Sequence, residues 1–175
     1  MLRQESWFVA QVFRLAAKTG IRGVVSFSDP VARYDSGGNM TMPGHIGILY
    51  QALNAEHVGR STARTHWVLP DGTIFSPRAM QKIHKQERGH EYAELQLIAC
   101  GAPVMRAGQK PAEWLAEALR AAGGRMFRHP GCIRYAFRLG TTRAQRRGVY
   151  IDPAAEPYPK SEVLVTDPEL LALAA

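Results

Sequence analysis

Apolar residues recur at helical spacing through ESWFVAQVFRLAAK, residues 5–18. Trp7, Phe8, Phe13, Leu15 and the alanines give a broad apolar face there, and Gly20 marks the stop. The period then shortens: in IRGVVSFSDP, residues 21–30, Val24, Val25 and Phe27 favour a pleated strand that Asp29-Pro30 closes. YDSGGNMTMP, residues 34–43, holds neither period and predicts a loop. Helical spacing returns at His45–Leu53, with Ile46, Leu49, Tyr50 and Leu53 on one face and Asn54, tolerant of a left-handed backbone, as the stop. EHVGRS and RTHWVLP predict two strands that pair, and the turn PDGT leads into a short strand, TIFS.

Helices dominate the next stretch. SPRAMQKIHKQERG predicts one capped by Ser76 with Pro77 at its first position, and Tyr92–Ala99 a short one closed by Gly101. Pro111 opens AEWLAEALRAA, which runs to Gly123-Gly124. GRMFRHPGCIRYAFRLG predicts a last pair of strands about its HPG turn, and the Pro-, Ala- and charge-rich residues 141–175 predict an extended tail. Local strand pairing with crossover helices makes this an α/β (α+β) chain: one domain over residues 1–140, then the tail, with no internal repeat.

Composition narrows the class. Hydrophobic residues are 46% and charged residues 21% of the 175, the balance of an ordinary soluble domain. No apolar run reaches the roughly 18–20 residues that span a bilayer. The first residues do not read as a signal peptide, since Arg3, Glu5 and Arg14 interrupt the apolar run. Cys100 and Cys132 are too few for a disulfide framework, which predicts a reducing, cytoplasmic setting. Lys plus Arg is 22 against 15 acidic residues, a formal +7, and that excess favours anionic partners such as nucleic acid, nucleotide phosphates or coenzyme A.

Several residues are placed for chemistry. Ser26, Ser28 and Asp29 end the strand GVVSFSD, where ligands sit in open α/β sheets, and alternation puts both serines on one face. The bland alternative for Asp29 is an Asp-Pro turn. Arg3, Gln4, Glu5 and Ser6 lie at a helix start whose free N–H groups can bind an anion. His45 opens another helix, whose N-terminus favours a neutral imidazole base; a capping role is the alternative. His57 and His66 fall on neighbouring predicted strands and can pair, and His129-Pro-Gly-Cys132 offers two metal donors in one turn, too few for a site. Arg60, Arg64, Arg78, Lys82, His84, Lys85 and Arg88 form a basic set in which Arg78, Lys82 and Lys85 share a helical face that can track phosphates.

The phrases ESWFVAQ, GVVSFSDPVAR, PGHIGILYQALNAEHVGRS and LPDGTIFSPRAMQKI, with a weaker echo in GCIRYAFRLG, together resemble the phage Mom-like DNA-modification proteins of the GNAT acyltransferase superfamily. The likeness covers residues 5 to about 85. It implies a GNAT-like mixed sheet flanked by helices, entered at the pyrophosphate loop RQES, with the second half of the fold present and the first strands lacking. Either the tail or a partner chain, such as a second copy, then completes the sheet, or the chain begins upstream. Tyr50-Gln-Ala-Leu-Asn54-Ala55 matches part of the signature that ends the second helix, with Asn for Gly and Ala for an aromatic.

The implied activity converts the exocyclic amine of adenine in double-stranded DNA to a methylcarbamoyl-type derivative, which evades restriction, in the cytoplasm of the phage host. An acyl donor such as acetyl-CoA and an iron requirement are implied cofactors. Tyr50 would donate a proton to the leaving group and Asp29 accept one from the amine, while Arg3 to Ser6 hold the donor. Trp67 or Phe75 would stack on an extruded base. Two other classes stay open: an acyl-CoA N-acyltransferase acting on a small molecule or protein, and a DNA-binding module without catalysis.

Overall fold

A computed structural model describes residues 2–161 and 165–166. Its helices and strands follow one another in short runs, as the changing hydrophobic period requires, and form two compact units, each gathered from separated stretches of chain. The described residues of Met1–Val31, Gly44–Thr62 and Gly131–Val165 make the first, and those of Ala32–Pro43, Ala63–Pro130 and Thr166–Ala175 the second. The architecture is mixed α and β, built on small three-stranded sheets with antiparallel pairing.

The first unit begins with helix α1, Leu2–Lys18, followed by β1, Gly23–Ser28. The short helix α2, Ile48–Ala52, precedes β4, Glu56–Arg60, and β8, Ile133–Arg138, lies between the two strands in the order β1-β8-β4. Asn54 adopts the left-handed backbone (φ 58°) expected of a stop after Tyr50. Helices α1 and α2 cover one face of the sheet. Phe13 meets Phe137 edge-on at 4.7 Å between ring centroids, and Tyr50 packs on Tyr135 and Phe137. Only part of the apolar face of α1 is used: Phe13, Ala16 and Ala17 join the core, while Trp7, Phe8 and Leu15 stay largely exposed.

The second unit holds β5 (Arg64–Val68), β6 (Ile74–Phe75) and β7 (Arg125–His129), in the order β6-β5-β7. Helices α3 (Pro77–Lys85), α4 (His90–Ala99) and α5 (Pro111–Ala121) pack with it. Ser76 caps α3 as its sequence predicts, accepting from Ala79 N at 3.1 Å, with Pro77 in the first turn. Trp114, Phe75, Ile83 and Leu97, all fully buried, centre the core.

Three pairings differ from the sequence reading. EHVGRS and RTHWVLP do not pair with each other; β4 joins β8, and β5 joins β6 and β7. RMFRH and IRYAFR likewise enter different sheets instead of forming a hairpin about HPG. Local sequence shows strand character but not partner choice, because antiparallel partners can be distant in the chain. Residues 34–43 are not all loop: β2 (Val31–Tyr34) and β3 (Met40–Met42) pair about a turn. Asp35 closes that turn by accepting from Gly37 N and Asn39 N, and the Asn39 side chain is the main cause holding its carboxyl below the usual range. The third sheet has the order β3-β2-β9, with β9 at Val165–Thr166.

The tail is not wholly extended. It carries α6, Arg143–Arg147, capped by Thr142. Glu156 then bridges to His57, Glu156 N donating to His57 O at 2.8 Å, and Tyr158 Oη donates to Ala55 O at 2.7 Å. The tail therefore lies along β4, at the opposite side of the sheet from β1. Among the described residues, β1 remains an edge strand.

Candidate functional site

The backbone pairing of β1 determines which of its groups are free. Leu139 N donates to Arg22 O at 2.8 Å, which makes Arg22 and Leu139 a hydrogen-bonded pair in the β1–β8 register. Antiparallel alternation then turns the backbone groups of Val24, Ser26 and Ser28 toward β8 and those of Gly23, Val25 and Phe27 toward the open edge. Tyr50 reaches that edge. Its Oη lies 3.5 Å from Phe27 O, the long limit of a hydrogen bond, so the phenol is loosely held and can donate elsewhere.

The turn before α2 places the phenol. Tyr135, buried in β8, donates from its hydroxyl to Ile46 O and accepts from Gln51 Nε2 at 3.0 Å; Gln51 also bonds Ile46 O at 3.1 Å. This ties the 46–51 turn to the sheet. Gly47 comes so close that a Cβ there would meet Tyr135 Cε2 at 2.7 Å, Tyr50 Cδ2 at 2.9 Å and Ser28 Oγ at 3.1 Å. Tyr50, Ser28 and Tyr135 thus all pack against Gly47. Ser28 is fully buried and its hydroxyl has no hydrogen-bond partner among the described residues. Ser26 lies on the same face, opposite Tyr135, as alternation predicts.

Asp29 and His45 sit beside this group through the backbone, His45 N donating to Asp29 O at 2.8 Å. Asp29 Oδ1 accepts from Val31 N at 2.9 Å, so the strand-end turn role is realised. His45 lies before α2, not on it; it is exposed, and Gly47 caps the helix in its place. Arg3, Gln4, Glu5 and Ser6 are not a loop preceding a helix, because α1 already runs from Leu2. They occupy its first turn, where N–H groups lack intrahelical acceptors. Gln4 and Glu5 are exposed, and the side chain of Arg3 lies outside the described residues.

Of the basic set, Arg60 is exposed in the first unit, and Arg64 and Lys85 are exposed in the second. Lys82 is half-buried on α3. Arg78 is already committed, 2.6 Å from Glu87 in an ion pair. Phe75 is fully buried and Trp67 packs against the same core, so neither stands ready to stack on a base. Within the first unit the His57 ring lies 5.8 Å from that of Tyr135, and within the second the His66 ring lies 5.7 Å from that of His129. Among the described residues no three His, Cys, Asp or Glu side chains gather as a metal-binding group.

Sequence reading missed Tyr135, Gln51 and Gly47. A tyrosine within an apolar strand carries a signal, since a buried phenol needs a partner. Burial, the largest cause, raises the Tyr135 pKa, and Tyr158 adds to the rise while Gln51 opposes it. A raised folded pKa gives stability that is present below the unfolded value of about 10 and lost as pH rises through the folded one. Tyr135→Phe should lower stability at neutral pH by about 1–3 kcal/mol, since it removes a donor from Ile46 O and an acceptor from Gln51. It should also flatten the alkaline decline in denaturation curves collected from pH 8 to 11; an unchanged decline refutes the linkage.

No protein-family model, curated protein or solved structure matches this chain. No helix of the described residues is long and apolar enough to cross a membrane.

Proposed function

We propose that this protein is a group transferase that acylates the exocyclic amine of adenine in double-stranded DNA, with a methylcarbamoyl-type product. The observation that carries the reading is the Tyr50 phenol at the open edge of β1, 3.5 Å from Phe27 O, its ring packed with Ser28 against Gly47. Within the order α1, β1, β2, β3, α2, β4, the succession that the resemblance to the GNAT superfamily implies is kept, with the β2–β3 pair inserted before α2, and this lends the reading partial support. So do the exposed cations Arg60, Arg64 and Lys85, suited to backbone phosphates.

The chemistry requires two proton movements. The attacking amine must lose a proton, and the leaving group must gain one. Tyr50 Oη, weakly engaged by a carbonyl, supplies the second. The Asp29 carboxylate, whose Oδ1 also accepts from Val31 N, receives the amine proton. A thioester that carries the methylcarbamoyl group, when bound, would supply the electrophilic carbonyl and leave as a thiol on taking the Tyr50 proton; the edge-facing backbone groups of Gly23, Val25 and Phe27 and the first-turn amides of α1 are the groups that would hold it. No step is routed through iron.

The test is mass spectrometry of nucleosides from DNA of cells expressing the wild type or Tyr50→Phe. Wild-type DNA should contain a modified adenine nucleoside, and Tyr50→Phe should slow its accumulation on the order of 10²-fold. Only ordinary nucleosides in DNA from cells holding soluble wild-type protein would overturn the activity. Equal rates for the two proteins would overturn the proton-donor role alone.

A further inference from the structure

A second feature of the first unit lies apart from the Tyr50 turn. Gln11, Arg14 and Lys18 recur at helical spacing and share one face of α1. That face, with Arg138, Thr141 and Arg146 from the end of β8 and the segment after it, lines a cavity of about 390 Å3. This is within the usual range of small-ligand sites, about 300–1,000 Å3. Four of its lining residues are cationic and none is acidic.

We propose that this cleft binds a phosphate group through Arg14, Lys18 and Arg146.

The competing account is that these cations neutralise the carboxyl end of α1. Arg22 already serves there, donating from Nη1 to Ala17 O at 3.0 Å. Arg138 is also spoken for, paired with Glu56 through Nη2 at 3.0 Å. Arg14 contacts Gln11, a neutral partner, at 3.2 Å, and among the described residues no carboxylate pairs with it. The far wall is held in place before any ligand arrives. Thr142 Oγ1 accepts from Gln145 N, Gln145 Oε1 accepts from Thr141 N, and Arg146 Nη1 donates to Gly140 O at 3.0 Å. Gly140 permits this packing, since a Cβ there would lie 2.9 Å from Arg146 N. A wall fixed in this way loses little side-chain freedom on binding an anion. The floor, Phe13, Ala17 and Leu139, is apolar, so a phosphate carried on a sugar or base suits the cleft better than a bare ion.

The phosphate can belong to a DNA strand or to a free nucleotide, and two probes separate these sources. The duplex source rests on the DNA reading above; the nucleotide source does not. A short labelled duplex is followed by fluorescence anisotropy across salt concentrations, and adenosine monophosphate by calorimetry, with wild type and the Arg14→Gln/Lys18→Gln double variant. Both positions are exposed, and circular dichroism checks that the variant folds. If the strand is the source, the double variant binds duplex about tenfold more weakly and its log K against log salt slope falls by about 2. If the nucleotide is the source, duplex binding is unchanged and nucleotide binding is lost. The proposal is overturned if wild type binds neither probe, or if the variant binds both as wild type does. Unmodified nucleosides alongside cleft-dependent binding would sink the transferase reading and leave this one standing.

Discussion

Trp114→Ala should destabilise the protein by about 3–5 kcal/mol, read as a lower denaturant midpoint with an unchanged slope. Trp114 is fully exposed to other side chains and not at all to solvent: it sits on α5 within the cluster that holds Leu69, Phe75, Ile83, Leu97 and Leu119. Its indole Nε1 donates to Pro103 O at 2.8 Å. The alanine variant therefore suffers twice, through a cavity the size of an indole and through a carbonyl left without its donor. Trp114→Phe separates the two effects. It keeps most of the apolar volume and loses the donor, so it should cost about 1–3 kcal/mol. If both variants cost the same, the hydrogen bond carries the effect and the packing argument fails. A loss under about 1 kcal/mol for Trp114→Ala would place the indole outside the core altogether.

The position of that tryptophan was legible before any coordinates. In PAEWLAEALRAA, Trp114, Leu115, Ala118 and Leu119 fall on one helical face, and those four residues are the buried ones of α5. Caps were equally legible, because a Ser-Pro start and an Asn stop act through neighbours a few residues away. Strand partnership was not. The pattern of EHVGR and IRYAFR fits either sheet, and the choice of β8 as the shared partner of β1 and β4 depends on contacts about 80 residues apart for β4 and more than 100 for β1. Similar reasons limited the site. Tyr50, Ser28 and Asp29 could be proposed from a strand end and a helix stop, while Gln51 and Tyr135, which hold the turn, meet only through the fold. Arg78 shows the opposite failure: helical spacing put it on a basic face, and Glu87, nine residues on, had already paired with it.

Gly47→Ala should cost about 2–5 kcal/mol, and the comparison that interprets it is Gly38→Ala. Both glycines have a left-handed backbone, φ 74° and 77°. A side chain in that region costs about 1–2 kcal/mol at either position. At Gly38 nothing lies within 4 Å of the new methyl group, so the backbone cost is the whole effect. At Gly47 the methyl group collides with the rings of Tyr135 and Tyr50 and presses on Ser28 Oγ, and overpacking of this kind adds about 1–3 kcal/mol. The two rings cannot yield freely. Tyr135 is anchored by its bonds to Ile46 and Gln51, and Tyr50 is braced by Phe137 at 6.2 Å between centroids. The collision is therefore relieved by moving the 46–51 turn, which carries the Tyr50 phenol away from the edge of β1. Denaturation of the two variants side by side measures the excess at Gly47, and nucleoside analysis of the same variant should show modification falling with it. If Gly47→Ala is no more costly than Gly38→Ala, the turn is not packed on the two tyrosines. The phenol then has no fixed address at the strand edge, and the transferase chemistry loses the one placement from which it was derived.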